Sequence, residues 1–341
     1  MSVSLDNVVI RDSEAHGQLV GGIPEGGMGG AIFLSVNNAG ISATDSTFRD
    51  NTAYGPGGAI AMVCKEDLVL ASHSISLTNS LLVNNTAQWG GAGAIEACGV
   101  STIALATSTL SNNHSVAMPR PLPATAEARG AVSYMQNIVS GQGSVSLSNI
   151  TAAEHEDGPV FAFKALSAVT LNSSVLIGND GHNCALDSAL SFPSGNYNTI
   201  DDSSCNALLL TSGGAKFDPG TGQFANELLP LFFRGGLTEV YLPNKNSTNV
   251  LNVGTDGDNC SGSDQRGLSR KNGEKCDRGA AERMEPTAVD DSASNGTDSR
   301  ASSFWMYLPT TVLVKATAVP ITLRTLQLPY AEAVAIAPIL R

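Results

Sequence analysis

The sequence predicts an all-β chain wound into a solenoid of parallel strands. Three observations predict it. A short phrase recurs along the first half, apolar and polar residues alternate between its copies, and a glycine-rich phrase recurs in a second frame.

The first phrase falls into one register five times: STFRDN (Ser46 to Asn51), SLLVNN (Ser80 to Asn85), STLSNN (Ser108 to Asn113), SNITAA (Ser148 to Ala153) and SVLIGN (Ser174 to Asn179). Two residues after each Ser stands an apolar side chain: Phe48, Leu82, Leu110, Ile150 and Leu176. Stacked repeats would superpose these five as one core column. Asn51, Asn85, Asn113 and Asn179 close four copies, with Ala153 in the other. An Asn at a bend tolerates left-handed backbone, and its amide can bond the Asn of the next repeat, which predicts an Asn ladder.

Between the copies the chain alternates, in ISATDSTF from Ile41, SISLTNSLLV from Ser74 and VSLSNI from Val145. Period two with β-branched residues is strand. Long amphipathic helical windows are absent, and 35 Gly would weaken them. The second frame reads GGAI at Gly29 to Ile32 and Gly57 to Ile60, GAI at Gly93 to Ile95, and GAV at Gly130 to Val132. GPV at Gly158 to Val160 is a looser copy. Glycine there supplies a second corner where a Cβ would clash. About six such turns at ~4.8 Å make a rod roughly 30 Å long. MPRPLPATAEARG, from Met118 to Gly130, carries three prolines and predicts a loop thrown out of the rod.

Composition limits the function classes. The 341 residues suffice for a large core, and 42 % apolar with only 15 % charged residues argues against disorder. A net charge of −12 without a basic stripe argues against nucleic acid and against an anionic membrane surface. MSVSLDNVVI at the start lacks the basic, apolar and small-residue regions of an export signal, and reads as mid-strand. The chain is therefore expected to be a monomer or part of a larger protein.

None of the six cysteines forms a Cys-x-x-Cys pair, so a zinc or redox-motif reading has no support. Cys184 with Cys205, and Cys260 with Cys276, close modest polar loops and are read as disulfides, which implies an oxidising compartment. Cys64 and Cys98 are either bonded stacked neighbours or buried thiols.

DQRGLSRKNGEKCDRGAAE, Asp264 to Glu282, resembles the closing motif of the bacterial surface proteins called choice-of-anchor Q domain proteins. GNYNTIDDSSCN from Gly195, KFDPGTGQFANE from Lys216 and VLNVG from Val250 resemble further pieces of that family in the same order. Lys271 stands where the family has Pro, and Arg278 where it has an apolar residue. The resemblance implies a right-handed parallel β-helix over residues 1–182 and a C-terminal capping region over 183–282. It also implies a bacterial extracellular or cell-surface location. Residues 283–303 then read as a polar linker and 304–341 as a tail of undefined structure, whose apolar runs fall short of the ~20 residues a membrane helix needs.

Chemical constellations are sparse. Glycan-cleaving sites on a β-solenoid need carboxylates gathered on one face, or Ca²⁺ with a basic residue. Asp201 and Asp202 lie in the loop beside Cys205, and Asp45 and Asp50 flank a turn on alternate faces. Glu154, His155, Glu156 and Asp157 are consecutive, so at most two converge on an extended chain, and they read as a solvated corner. Asp256 to Asp264 offers oxygens for Ca²⁺ but lacks the spaced ligands and closing Glu of a calcium loop. GGIPEGGMGG from Gly21 opens no helix, so it is no phosphate cradle. Catalytic, cofactor and metal residues are all expected to be absent. The expected function is a non-catalytic stalk or adhesion surface for a carbohydrate or protein ligand, with a polysaccharide lyase or hydrolase as the alternative.

Overall fold

The computed structural model describes residues 2–284 apart from residues 21–22, 36–37, 63–71, 90, 99, 117–128, 136–142, 157, 164–167, 181, 187–195, 206–214, 217–223, 255–259, 261 and 271–274. Cys64, the Cys98 side chain, Lys271, most of the linker and the whole tail lie outside the described residues.

The chain is all-β, with one four-residue helix, Phe224–Glu227, among the described elements. Its strands lie in stacked parallel sheets, an arrangement consistent with a β-helix. The first sheet takes Ser2–Asp6, Gly40–Thr44, Ser72–Thr78, Val100–Ala106, Ser144–Ser148 and Ala168–Asn172, in that order. The second runs Val9–Arg11, Thr47–Arg49, Leu81–Val83, Thr109–Ser111, Thr151–Ala153, Val175–Ile177, Thr199–Ile200 and Ala215–Lys216. The third runs Ile32–Leu34, Ile60–Met62, Gly91–Cys98, Arg129–Met135, Phe161–Phe163 and Cys184–Leu186. A short fourth sheet joins Glu14–Ala15, Thr52–Ala53, Thr86–Ala87 and His114–Ser115. The chain visits the sheets in a fixed order, so each strand pairs with its counterpart one circuit later.

Circuit length varies, and register does not. Ser46 and Ser80 are 34 residues apart, Ser80 and Ser108 28, Ile150 and Ser174 24. The second-sheet strands nevertheless keep one register, so inward side chains still superpose. Phe48 pairs with Ile10 and Leu82, and Leu82 with Leu110. All of these except Ile10, which is half-buried, are fully enclosed in one apolar core. A residue of that kind contributes about 1.5–3 kcal/mol by burial.

Ile150 does not occupy this column. Leu110 pairs with Ala152, and Ala152 with Leu176 and so on to Ile200. The frame at residues 148–153 is displaced by two, which puts Ile150 at the Ser position, still buried. GPV is displaced by one, since Phe161 rather than Val160 pairs with Val132.

Two corners per circuit use left-handed backbone. Asp45, Asn79, Thr107, Asn149 and Ser173 have positive φ before the second-sheet strands; Asp50, Asn84, Asn112, Glu154 and Gly178 have it after them. The second row precedes each ladder Asn by one residue, so the strained position is not the ladder Asn itself. At the glycine corner a Cβ on Gly58 would lie 2.0 Å from the Gly93 carbonyl oxygen. Only glycine lets these backbones approach so closely.

The outer face of the second sheet is covered by residues 224–282. Leu228, Tyr241 and Val250 pack on Ala153, Val175 and Ile177. Thr109 Oγ1 donates to Gln265 Oε1 (2.7 Å), and Thr151 Oγ1 accepts the Ala280 N–H (2.9 Å). Cys184–Cys205 and Cys260–Cys276 are disulfides, with Cα atoms 5.1 and 5.5 Å apart, consistent with an extracellular protein. No helix among the described residues is long and apolar enough to cross a membrane.

Candidate functional site

The ladder residues form a buried polar spine. Asn51 Nδ2 donates to Asn85 Oδ1 (2.9 Å) and Asn85 Nδ2 to Asn113 Oδ1 (2.8 Å). Each Oδ1 also accepts the backbone N–H of the preceding ladder Asn, at 3.2 and 3.1 Å. The next rung is His155, whose Nδ1 accepts the Asn113 N–H (3.1 Å); its own N–H donates to Asn179 Oδ1 (3.0 Å). His155 is thus enclosed in the spine, while Glu154 and Glu156 are exposed; the corner is solvated on both sides of it only. Nδ1 as acceptor leaves the proton on Nε2, which has no hydrogen-bond partner, although the Leu110 carbonyl lies near the ring. Burial is the main cause that pushes the imidazole pKa down to about 4.

A parallel spine of hydroxyls runs beside it. Ser46 N–H donates to Ser80 Oγ (3.4 Å) and Ser80 N–H to Ser108 Oγ (3.0 Å). Ile150 interrupts this row and Ser174 resumes it. These two spines satisfy corner backbone that a dry interior would otherwise leave unpaired.

The residues that carry the family resemblance build a buried clasp. Asp264 takes Arg266 Nη2 (2.8 Å) and the N–H groups of Arg266, Leu268 and Glu282 (2.9, 3.0 and 3.0 Å). Arg270 donates to the Asp277 and Gly279 carbonyls (2.8 and 3.0 Å), and the Glu282 carboxylate takes the Asp277 N–H. Gly279 has φ 93°, and a Cβ there would meet Thr151 Oγ1 at 2.5 Å, so glycine allows the clasp to touch the sheet. Burial, then the Asp277 carboxylate, raises Glu282 to about 8, and burial raises Asp277 to about 6. Arg278 stands where the family is apolar, yet it is buried, donating to the Val253 and Asn198 carbonyls (3.1 and 3.2 Å).

Polar side chains accessible to a ligand meet along the second left-handed corner. Asn112 Nδ2 donates to Asn84 Oδ1 (2.8 Å), and Asn84 Nδ2 to Asp50 Oδ1 (3.0 Å). Arg49 bridges Asp50 and Glu239, at 3.3 Å to each. Further along, Tyr241 OH lies between Ser111 Oγ (2.7 Å) and the Glu154 carboxylate, with which it makes a short hydrogen bond. Burial, then Glu154, pushes the Tyr241 phenol well above its ordinary value, so it stays protonated and fixes Glu154. The Arg49, Asp50 and Glu239 side chains are 28 %, 41 % and 17 % exposed, which leaves them reachable. This seam offers amide donors, carboxylate acceptors and one guanidinium in a row, with Asp50, Asn84 and Asn112 contributed by successive circuits. Sequence reading missed it because Arg49 and Glu239 are 190 residues apart.

The other acidic groups serve local structure. Asp201 accepts the Gly178 N–H (2.6 Å) and Asp202 the Asn183 N–H (2.8 Å), bracing the loop that ends in Cys205. Among the described residues no three His, Cys, Asp or Glu side chains are placed to hold a metal ion. Asp256 to Asp264, the span weighed above for Ca²⁺, falls largely outside the described residues. Comparison with protein-family models, with curated proteins and with solved structures found no match for this chain.

Proposed function

We propose that this chain is a non-catalytic right-handed parallel β-helix protein of the bacterial surface or extracellular space. In this reading the circuits are its coils, and the corner seam binds an extended carbohydrate or protein ligand. The observation that carries the non-catalytic reading is the saturation of the charged groups that meet. The clasp carboxylates and guanidiniums are buried against one another, and Arg49 is ion-paired with both Asp50 and Glu239. A general acid or base needs a carboxyl free to exchange a proton with substrate. Two disulfides support an oxidising compartment, and the resemblance of Asp264 to Glu282 to the closing motif of choice-of-anchor Q domain proteins supports the surface-protein reading. Solenoid flanks suit extended ligands because each coil repeats the same contacts.

A glycan array followed by titration calorimetry tests it. A ligand whose affinity falls at least tenfold in Arg49→Ala, and in Asn84→Ala with Asn112→Ala, supports the seam. Undiminished binding in both variants refutes its place. A polysaccharide lyase or hydrolase is the second reading, favoured by the meeting of Arg49, Asp50 and Glu239 at one accessible position. Release of reducing ends or unsaturated products from any polyanionic or plant glycan, abolished by Glu239→Gln, would replace the first reading with the second.

A further inference from the structure

We infer that the outer face of the short fourth sheet binds a neutral glycan, stacking a pyranose ring on Tyr54 and Trp89. Their ring centroids are 5.8 Å apart and the ring planes are tilted by 41°. Both side chains are half-buried, so each ring keeps a part that faces solvent. They come from successive circuits. The N–H groups of Tyr54, Gln88 and Val116 donate to the carbonyls of Ala15, Ala53 and Ala87, each at 2.9 Å. That pairing sets His16, Tyr54, Gln88 and Val116 in one outward row, and Trp89 directly follows Gln88. Ala53, Ala87 and Ser115 alternate with the row and are buried, as the inward residues of a strand should be.

The platform is fixed in place by glycine. A Cβ on Gly17 would lie 2.6 Å from Tyr54 Cδ1, and one on Gly27 would lie 2.6 Å from Tyr54 Cβ. Tyr54 therefore rests on bare backbone at the base of the hairpin of Gly17–Val20 and Ile23–Gly26. A ring positioned before binding loses little rotamer freedom on binding.

The flank identifies the ligand. A second outward row runs beside the first, two residues earlier on each strand, where Glu14 pairs with Thr52, Thr52 with Thr86 and Thr86 with His114. A pyranose presents a face of C–H groups and a rim of hydroxyls, so it matches aromatic rings edged by hydroxyl, amide and carboxylate groups. Neither row contains Lys or Arg, and Glu14 is exposed, which disfavours a polyanionic chain and favours a neutral one. Two rings and Val116 make too small an apolar centre for a protein partner, because a stable interface buries at least about 1,200 Å² in total. This face is distinct from the corner seam, and the inference stands without that reading.

Titration of the full chain with cellohexaose, xylohexaose, mannohexaose and maltohexaose, each to about 10 mM, tests this. The chain carries Trp305→Phe, which leaves Trp89 as the one fluorescent indole, since the sequence holds 2 Trp. The expected result is a saturable change in Trp89 emission with at least one of the four sugars. Calorimetry should find its affinity at least tenfold weaker in Tyr54→Ala and in Trp89→Ala, and unchanged in Tyr54→Phe and in Arg49→Ala. No response to any of the sugars overturns the inference, as does binding that survives both alanine variants or tighter binding to polygalacturonate. Loss of binding in Arg49→Ala places the sugar at the seam, and self-association abolished by Trp89→Ala assigns the platform to a second copy; either overturns it. Urea unfolding checks that the variants fold. If the alanine variants do not, the sugar must protect Trp89 from oxidation by N-bromosuccinimide, and equal oxidation with and without sugar overturns the inference.

Discussion

Replacing His155 by Asn should convert an acid-sensitive rung into a regular one. The imidazole is held neutral, with a pKa of about 4 against 6.5 in an unfolded chain. Between those values the unfolded state binds the extra proton, so the stabilising neutrality present above pH 6.5 is lost as pH falls through 4. The shift of 2.5 units, at about 1.4 kcal/mol each, amounts to roughly 3 kcal/mol in full and roughly 2–3 kcal/mol by pH 4.5. An Asn at this rung would accept the Asn113 N–H through Oδ1. Its Nδ2 would reach the Leu110 carbonyl, as Asn113 Nδ2 reaches Leu82 O at 3.0 Å. Urea denaturation of both proteins at pH 7.5 and pH 4.5 measures the difference. His155→Asn should gain roughly 2–3 kcal/mol on the wild type over that interval. Superimposable pH dependence of the two proteins would refute the reasoning, because a histidine that titrates normally is not enclosed in the spine.

Gly58→Ala would push a Cβ to 2.0 Å from the Gly93 oxygen, so it should cost about 2 kcal/mol or more, whereas Gly262→Ala, with nothing within 4 Å, should cost less. Thermal unfolding of the two variants checks this order. Cys184→Ser with Cys205→Ser opens a loop of sequence separation 21 and should lower stability by about 3 kcal/mol, read from the urea midpoint. Glu282 has its folded pKa raised to about 8, so its contribution is present at low pH and lost as pH rises through 8. Glu282→Gln imitates the protonated form and should flatten the decline in melting temperature between about pH 5 and pH 8. An equal decline in both proteins would place that proton elsewhere.

The parts of the fold visible in the sequence are those written locally. Phe48, Leu82 and Leu110 could be superposed because each follows a Ser by two residues and precedes an Asn by three. The same spelling misled at Ile150, where a Ser-x-apolar phrase lies two residues early. The long excursion between Asn113 and His155, 42 residues, removed the spacing that would have exposed the slip. His155 was unreadable as a rung because its ring nitrogen does the work of an Asn oxygen. The Ser row served as a mark of register, yet its hydroxyls turn out to bond from circuit to circuit. The clasp was visible only as a resemblance, since contacts such as Thr109 to Gln265 span 156 residues and leave no local period. The seam joins one repeat corner to the covering segment, and neither half announces the other.

Distances between spin labels on the first sheet test the stacking most directly. Ser4, Ser42, Ser76, Ala104, Ser146 and Thr170 are successive register partners at unequal sequence separations. Labels introduced by orthogonal chemistry at Ser4 with Ala104, Ser146 or Thr170 should lie about 14, 19 and 24 Å apart, rising by ~4.8 Å per coil. Distances that follow the number of intervening residues instead, or that fail to rise in even steps, would contradict a stack of coils and the surface-scaffold function built on it.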